Sequence, residues 1–235
     1  MQKRITEIQA GLTLMGVPCG PEQSAQLIAH LDLVAEANAS FNLTTISAED
    51  AIKMHVLDSA AAAPFLQSAP EGGFADLGSG AGFPGIPLAI LSGREVTLVE
   101  SVKKKAAFLE RVAADLCLKA TVRPVRAEEL AQERPGSFSV VTARALSSLP
   151  SLVELASPLL CAGGLLICLK GRPDDIELAR GDAAGALCGM RREESIAVKV
   201  PGLDAARTVV VYRRLRKSRT RLPRRNGMAQ RQPMA

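Results

Sequence analysis

A glycine-rich segment between two apolar runs constrains the fold of this chain most strongly. Residues 74–77 (FADL) are apolar, residues 78–85 (GSGAGFPG) follow, and residues 86–91 form a second apolar run with helical character. The four glycines of this segment are Gly78, Gly80, Gly82 and Gly85. Because glycine has no Cβ atom, such a segment can turn tightly and let a ligand lie against its backbone. The pattern therefore predicts a strand, a ligand-binding loop and a helix in succession.

The remainder of the chain after this loop alternates between strand-like and helix-like patterns. The predicted strands are residues 74–77, 96–99, 120–125, 137–143, 164–169, 196–200 and 208–212. The predicted helices between them are residues 86–91, 103–118, 149–160 and 174–187. Strands that alternate with helices of about 10–15 residues are typical of βαβ units and a parallel sheet. We therefore expect an α/β fold.

The first third of the chain has a different pattern. Residues 1–35 and 47–66 carry apolar side chains at helical spacing, and Pro18 and Pro21 interrupt the first of these stretches. We therefore expect three parts, which are an N-terminal helical extension over residues 1–70, an α/β domain over residues 71–214 and a basic tail over residues 215–235.

The basic charge of the chain is concentrated at its C-terminal end. Residues 213–235 contain nine Lys and Arg and no acid, whereas the other 212 residues have four more acids than bases. A block of like charges repels itself and cannot form a core, so we expect the tail to be disordered when free. It is either an electrostatic arm for phosphate backbones or a solubilising terminus without a specific role.

Several classes of protein are disfavoured by composition. No apolar run approaches the roughly 18 residues of a membrane span, and the charged start MQKRITEIQAGL does not resemble a signal peptide. We therefore expect a cytoplasmic protein without a membrane partner. The five cysteines form no CxxC pair and there are only two histidines, His30 and His55, so we expect reduced thiols and no metal site.

The residues around the glycine loop favour one kind of cofactor. Glu100 ends the next predicted strand, 20 residues after Gly80, where an acid can accept hydrogen bonds from both ribose hydroxyls. Asp76 lies before the first glycine, in the first turn of the loop, and a carboxylate there suits a cationic ligand better than a pyrophosphate. Pro84 and Pro87 remove backbone donors from the start of the helix. These residues favour S-adenosylmethionine over a dinucleotide, and a purely structural glycine turn stays open.

Charged residues also follow the later predicted strands. Glu128 and Glu129 follow the third strand and either border an adenine or are simply solvated, while Arg144 ends the fourth strand and Lys170 the fifth. Ligands of open parallel sheets bind outside the carboxyl ends of the strands. Two cations at adjacent strand ends therefore indicate an anionic or electron-rich second substrate such as RNA.

Several motifs in order resemble one bacterial family. The segments DLGSGAGFPGIPLAI, VTLVESVKKKAAFLERV, VTARAL and LKG are similar to those of the glucose-inhibited division protein B family, also called RsmG. Upstream, Asn38 with residues 41–44 (FNLT) and residues 55–59 (HVLDS) resemble two further signatures of that family. Downstream, residues 200–204 (VPGLD) with Arg207 resemble its closing segment. The resemblance covers roughly residues 5–214.

This resemblance implies a Rossmann-like class I methyltransferase with an N-terminal helical extension. The implied reaction is methyl transfer from S-adenosylmethionine to N7 of one guanine in 16S ribosomal RNA of the small (30S) subunit. The implied cofactor residues are Asp76, Gly78, Ser79, Gly80, Gly82, Phe83, Gly85, Glu100, Ala127 and Glu128. The implied RNA-binding residues are Arg144, Lys170 and Arg207. Of these, Arg144 positions the substrate, and Lys170 is expected beside it at the reaction centre. Arg213 and Arg214, which begin the basic block of residues 213–235, are further RNA-binding candidates because of their charge.

The implied chemistry requires little acid–base catalysis. Guanine N7 carries an in-plane lone pair and no proton, so catalysis would consist mainly of positioning. The expected partners are 16S rRNA and the small subunit, and we expect a monomer. Three alternatives stay open: a class I methyltransferase for another RNA or a protein, a non-catalytic RNA assembly factor that binds S-adenosylmethionine, and a nicotinamide oxidoreductase. His55 and Asp58 also have an alternative role, which is to join the N-terminal helices to the sheet.

Overall fold

The computed structural model describes all 235 residues of the chain. The helices are α1 (Gln2–Leu14), α2 (Pro21–Asn38), α3 (Asp58–Ala60), α4 (Ala63–Gln67), α5 (Gly85–Ser92), α6 (Lys103–Asp115), α7 (Ala127–Glu133), α8 (Leu149–Ala156), α9 (Asp175–Cys188) and α10 (Met228–Arg231), with a π-helical turn over Ile52–Leu57 before α3. None of them combines the length and the apolar composition that crossing a lipid bilayer requires.

The seven strands form one mixed sheet. They are β1 (Gly73–Leu77), β2 (Val96–Val99), β3 (Ala120–Arg123), β4 (Phe138–Arg144), β5 (Leu160–Lys170), β6 (Met190–Val198) and β7 (Arg207–Arg214). Their order across the sheet is β3-β2-β1-β4-β5-β7-β6. Strands β1 to β5 pair in parallel, whereas β7 runs antiparallel to both β5 and β6. The predicted α/β fold is confirmed.

The sheet is central because its inner strands are apolar on both faces. All four residues of β2 and six of the seven residues of β4 are buried, as expected for parallel strands covered by helices on both sides. One face packs against α1, α2 and the π-helical turn in a core of 36 buried residues, and the other face packs against α8 and α9 in a core of 23. The N-terminal helices therefore share a hydrophobic core with the sheet.

Three elements differ from the sequence prediction. Helix α7 was not predicted, because Leu130 and Ala131 are its only buried apolar residues and no longer helical period is visible. Strand β5 begins at Leu160, within the predicted helix 149–160. Strand β6 begins at Met190, before the predicted residues 196–200. Its first part was not predicted because the sequence MRREESIAV is largely exposed and charged. Pairing with β7 fixes β6, and no local pattern reveals that pairing.

The C-terminal segment, residues 215–235, is packed against the domain, which differs from the predicted disorder. Ala229 is buried, and Leu222 and Met234 contact the second core. The Arg219 amide donates to the Leu187 carbonyl at 2.9 Å, and Arg224 pairs with Glu154 at 2.6 Å. The prediction considered the charge of the segment alone. The apolar residues interspersed in the segment, and the acidic side chains of residues 1–212, provide contacts that the charge pattern does not indicate.

Candidate functional site

The glycine loop, residues 78–85, closes over the carboxyl end of β2. The amides of Gly78 and Ser79 both donate to the Val99 carbonyl, at 2.8 and 3.2 Å, and Ser79 Oγ donates to the Asp76 carbonyl at 2.9 Å. Gly78, Gly80 and Gly82 have φ angles of +67°, +56° and +95°. Residues with a Cβ rarely adopt these angles, so the turn depends on glycine.

The glycines of this loop serve two different purposes. A Cβ at Gly85 would lie 2.7 Å from Leu98 Cδ2 and 2.8 Å from Asp76 Oδ2, and a Cβ at Gly78 would lie 2.6 Å from Leu146 Cδ1. These two glycines let helix, strand and loop pack closely. At Gly80 the nearest atom would be 3.8 Å away, so the space above it is open to a ligand.

Glu100 joins the loop to the end of β2. Its carboxylate is buried, with Oε2 accepting from the Gly80 amide at 3.0 Å and Oε1 from the Val102 amide at 2.8 Å. Each carboxylate oxygen can accept a second hydrogen bond. Glu100 is therefore held in a fixed position while it keeps acceptors for the two hydroxyls of a ribose.

Asp76 lies below the loop, within β1. It was predicted to lie in the first turn of the loop, but it is instead a residue of β1 that pairs in register with Thr142 of β4. Its Oδ1 accepts from Thr142 Oγ1 at 2.7 Å, whereas its Oδ2 is buried without a hydrogen-bond partner. Burial raises the pKa of Asp76 to about 6, and a nearby positive charge would stabilise the ionised form.

The start of α5 offers few donors to a pyrophosphate. Pro84 precedes the helix and Pro87 lies in its first turn, so neither has an amide proton, and the Ile86 amide already donates to the Gly82 carbonyl at 2.8 Å. Dinucleotide sites rely on free amides at this point. With a buried orphan carboxylate oxygen below and an open glycine above, these residues fit a nucleoside that carries a positive charge.

The adenine end of the predicted cofactor site lies at the start of α7. Ala127 is its first residue, and Glu128 follows with its side chain buried. Glu128 Oε1 accepts from the Gly227 amide at 2.7 Å, so a residue of the C-terminal segment already contacts the predicted adenine position. No local pattern in the sequence indicates this contact between residues 99 positions apart.

Phe83 is the centre of a three-ring stack. Its ring lies 4.5 Å from the ring of His30 in α2 and 4.1 Å from the ring of His55 in the π-helical turn, measured between centroids. Phe83 itself is buried. The residue predicted to line the cofactor therefore also fastens the glycine loop to the N-terminal helices.

His30 supports the glycine loop, a role that was not predicted from the sequence. Its Nε2 lies 2.8 Å from the Ala81 carbonyl, which can only accept, so Nε2 carries the proton and Nδ1 has no partner. Burial lowers the pKa of His30 to about 4. His30 is thus a neutral side chain that supports the loop, and only its helical position among apolar residues could have suggested burial.

An ionic cluster joins the N-terminal segments to β4 and β7. The buried Asp58 accepts from Arg144 Nη1 at 2.9 Å and from Arg207 Nε at 2.5 Å. Arg144 also donates to the Met54 carbonyl at 2.9 Å and to His55 Nδ1 at 3.2 Å. One carboxylate therefore orients two of the predicted RNA-binding arginines.

His55 is held neutral within this cluster. Burial, and after it the positive charge of Arg144, lowers the pKa of His55 to about 3. Because Arg144 donates to Nδ1, the proton of His55 lies on Nε2, which is 3.3 Å from Thr44 Oγ1. This geometry supports the alternative in which His55 and Asp58 join the N-terminal segments to the sheet.

A cleft of about 660 Å³ opens beside the ionic cluster. Its cationic side chains are Lys105, Arg144, Lys170 and Arg207, and Asp58 is the only acid among its lining residues. Lys170 Nζ pairs with Glu177 at 2.7 Å and donates to the Ser147 carbonyl at 3.2 Å. The positive balance of charge suits an anionic substrate.

Two predicted RNA-binding residues lie elsewhere. Thr208 pairs with Lys170 at the carboxyl end of β5, whereas Arg213 pairs with Leu165 towards the opposite end of the same strand. Arg213 bonds to Glu193 and the Gly163 carbonyl, and Arg214 bonds to the Leu160 carbonyl. Since β7 runs antiparallel to β5, both arginines lie at the opposite edge of the sheet from Arg144, and the cleft does not include them.

Comparisons with known proteins agree with one family. A family model described as rRNA small subunit methyltransferase G (GidB) matches residues 23–205. The protein named ribosomal RNA small subunit methyltransferase G from Deinococcus deserti is 39% identical to this chain, over all of this chain and 98% of that protein. The protein of the same name from Bacillus subtilis is 32% identical, over 98% of this chain and 98% of that protein.

Solved structures share the fold at low identity. A structure described as a putative sarcosine dimethylglycine methyltransferase from Galdieria sulphuraria matches with a TM-score of 0.57 and 11% identity, covering 75% of this chain and 91% of that one. Geranyl diphosphate C-methyltransferase from Streptomyces coelicolor, solved with S-adenosyl-L-homocysteine, matches with a TM-score of 0.51 and 14% identity, covering 66% and 78%. At these identities the likeness concerns the fold alone.

Proposed function

The chain belongs to the rRNA small subunit methyltransferase G family, and from this premise we propose that it methylates N7 of a guanine in 16S ribosomal RNA with S-adenosylmethionine as the methyl donor. One observation carries the proposal. The glycine loop with Glu100 and the cationic cleft with Arg144 lie side by side at the carboxyl edge of one sheet. A nucleoside cofactor and an anionic substrate can therefore meet there.

Three features of the cofactor half would hold the donor. Glu100 would accept from the ribose hydroxyls, Gly80 leaves room for the ligand above the loop, and Asp76 would supply negative charge beneath it. When bound, S-adenosylmethionine would supply an electrophilic methyl group on a positively charged sulfur. The N7 lone pair would attack this methyl group as its bond to sulfur breaks, so that S-adenosylhomocysteine leaves and the positive charge passes to the guanine without loss of a proton. The chain therefore has to hold the two reactants in place and exclude water.

The side chains of the cleft are consistent with a reaction that needs no general base. His55 is the histidine nearest to the cleft, and its Nδ1 is occupied by Arg144 while its low pKa keeps it neutral. Cys168, at the end of β5, is buried, and burial raises the pKa of its thiol to about 12. Neither side chain is available as a base or nucleophile at neutral pH.

Arg144 acts as the positioning residue for the guanine. Three of its donors are directed at Met54, His55 and Asp58, and a guanidinium has five N–H groups. Two N–H groups remain for guanine O6 or a phosphate oxygen. Arg207 and Lys170 extend the positive surface along the RNA backbone, where contacts add affinity without base specificity.

The proposal includes the biological setting of the reaction. The partner is 16S rRNA within the small ribosomal subunit, and the enzyme acts as a monomer in the cytoplasm without a metal ion. Guanine N7 needs no Lewis acid for its activation, because its lone pair is already free to attack.

The direct test is methyl transfer from labelled S-adenosylmethionine to small subunits that lack the modification, followed by nucleoside mass spectrometry. We expect 7-methylguanosine at a single site in 16S rRNA. Methylation of another atom, another RNA or a protein would replace the proposed substrate. Binding of both ligands without transfer would instead indicate an assembly factor that does not catalyse the reaction.

Arg144→Ala provides a test of the positioning role. We expect an increased KM for the small subunit and a decreased kcat, because the guanine loses its orienting donors. Arg172→Ala is a matched control, since Arg172 is exposed just after Lys170 and makes no ion pair. Unchanged RNA kinetics in Arg144→Ala would remove Arg144 from the reaction.

A further inference from the structure

The C-terminal segment is anchored to the domain by a partly buried ion pair. Arg224 Nε and Nη2 donate to the two carboxylate oxygens of Glu154 in α8, both at 2.6 Å. The side chain of Glu154 is only 2% exposed and that of Arg224 is 25% exposed, so the carboxylate is buried, whereas the arginine that is its ionic partner stays partly open to water and the pair is shielded only in part. Arg224 also donates to the Gln232 carbonyl at 2.6 Å, which fastens the end of the segment to the same point. Bidentate pairs of this kind fix geometry as well as charge.

A second anchor lies on the predicted adenine position. The amide of Gly227, which is buried, donates to Glu128 Oε1 at 2.7 Å, and Asn226 Nδ2 donates to Glu129 Oε1 at 2.8 Å. The first turn of α7 is thus bonded to the C-terminal segment. Glu128 is the side chain expected at the adenine of the cofactor, so the segment and the cofactor require the same surface.

The space left beneath the segment is small. The cavity bounded by Gly78, Ser101, Ala127 and Gln230 measures about 60 Å³. Sites for small molecules and cofactors measure about 300–1,000 Å³. Gln230 belongs to the C-terminal segment and the other three residues surround the predicted cofactor site. An adenine therefore enters this space only if the segment moves.

We propose that the C-terminal segment is an intramolecular cover of the adenine end of the cofactor site, so that docking of the segment and binding of the cofactor exclude each other. This inference rests on the proposed function, which places an adenine nucleoside at Ala127 and Glu128. The segment lies outside residues 23–205, which the family model matches.

The proposal implies two forms of the chain: a closed form, in which the segment is docked, and an open form, in which it is released. A cofactor that binds only the open form pulls the chain towards that form, and its apparent affinity is reduced by the fraction of chains that are closed. Loss of one anchor raises the open fraction and strengthens binding. This sign is unusual, because removal of a residue beside a ligand site normally weakens binding.

The test uses the full chain and S-adenosylhomocysteine, which binds without turnover. Calorimetry compares the unchanged protein with Arg224→Ala and with the matched control Arg225→Ala, since Arg225 is exposed and forms no ion pair. We expect Arg224→Ala to bind about tenfold more tightly if the segment is closed about nine-tenths of the time. Arg225→Ala should retain the affinity of the unchanged protein.

A second measurement needs no variant. Trypsin cleavage after Arg224, followed by mass spectrometry, should become faster when S-adenosylhomocysteine is added, because the ligand releases the segment. Equal or weaker binding by Arg224→Ala, or protection of Arg224 by the ligand, would overturn the proposal; protection would make the segment a wall of the cofactor site. If the unchanged protein and both variants fail to bind, the proposed cofactor itself is wrong and the cover proposal fails with it.

Discussion

The two halves of the site, the glycine loop and the cleft, are built by different means. The loop takes its shape from backbone conformation within residues 78–85 and from Glu100, whose side chain closes it. The cleft is built from side chains that are distant in sequence, since Asp58 lies 86 residues from Arg144 and 149 residues from Arg207. The first half depends on the absence of side chains, and the second depends on their charges.

This difference indicates how each half responds to change. An added methyl group at Gly78, Gly82 or Gly85 meets packed side-chain atoms at 2.5–2.8 Å, so the loop should fail through packing. Loss of a charge in the cluster leaves other charges buried without partners, so the cleft should fail through electrostatics. The following variants separate these two responses.

Asp58→Ala should have the largest effect, because it leaves Arg144 and Arg207 without their shared carboxylate. Removal of one partner from a buried pair costs several kcal/mol, and with both arginines partly exposed we expect a loss of about 3 kcal/mol in the free energy of unfolding. Urea denaturation measures it. Asp32→Ala is the control, since Asp32 pairs with Arg4 at the surface and should change stability little. Equal losses in both variants would contradict the special role of the cluster.

Gly85→Ala should have the next largest effect and should act through packing. Its Cβ would lie 2.7 Å from Leu98 and 2.8 Å from Asp76, and overpacking of this kind costs about 2 kcal/mol. Gly171→Ala is the control, because a Cβ there meets nothing within 4 Å. Thermal or urea unfolding compares the two. A Gly85→Ala protein as stable as Gly171→Ala would show that the neighbouring side chains can shift to accommodate the added methyl group.

Glu100→Ala should weaken cofactor binding and leave the cleft intact. Loss of charge-assisted hydrogen bonds to the ribose should reduce the affinity for S-adenosylhomocysteine by about 1–3 kcal/mol. Because two backbone amides hold the Glu100 carboxylate in place, we expect Glu100→Ala to lose these ribose hydrogen bonds completely. Glu110→Ala on α6 is a surface control, since Glu110 is exposed. Calorimetry that shows unchanged affinity in Glu100→Ala would refute the ribose role.

The smallest expected effect is a dependence of stability on pH. The pKa values of His30 and His55 are lowered from 6.5 to about 4 and about 3, so below pH 6.5 the unfolded chain takes up protons that the folded chain does not. Stability should therefore fall as the pH falls from 7 to 5. Asp76, whose pKa is raised to about 6, acts in the opposite direction because its folded form binds the extra proton. The net slope should be about 1 kcal/mol per pH unit.

Variants of the histidines test the origin of this slope. His30→Gln and His55→Gln should each reduce the difference in unfolding free energy between pH 7 and pH 5. Each variant removes one imidazole that takes up a proton in the unfolded chain and not in the folded chain. Chemical denaturation at the two pH values measures it. A slope that neither variant changes would show that other groups control the response to acid.

The sequence predicted the loop half better than the cleft half, and the reason is physical. The glycines and Glu100 form a local pattern, and local backbone requirements are visible in a single sequence. The stack of His30 and His55 on Phe83 and the sharing of Asp58 by two arginines are contacts between distant segments. The residue types suggested a polar cluster, but its partners depend on the packing of the N-terminal helices against the sheet.

Charge alone did not predict where the basic residues of two regions lie in the structure. Arg213 and Arg214 were assigned to RNA because they are basic, but the antiparallel course of β7 carries them to the opposite edge of the sheet. The C-terminal segment was expected to be disordered because it is basic, but Arg224 finds Glu154 and Ala229 is buried. In both cases the position of a charged side chain depends on the topology of the fold, which composition does not indicate.

A crossed kinetic measurement tests the central claim, which is that the loop holds the methyl donor and the cleft holds the RNA. The KM values for S-adenosylmethionine and for unmodified small subunits are measured with Glu100→Ala and with Arg207→Ala. We expect Glu100→Ala to raise the KM for the donor alone and Arg207→Ala to raise the KM for the subunit alone. A rise of the same KM in both variants, or of both KM values in each, would contradict the division of the site into two halves.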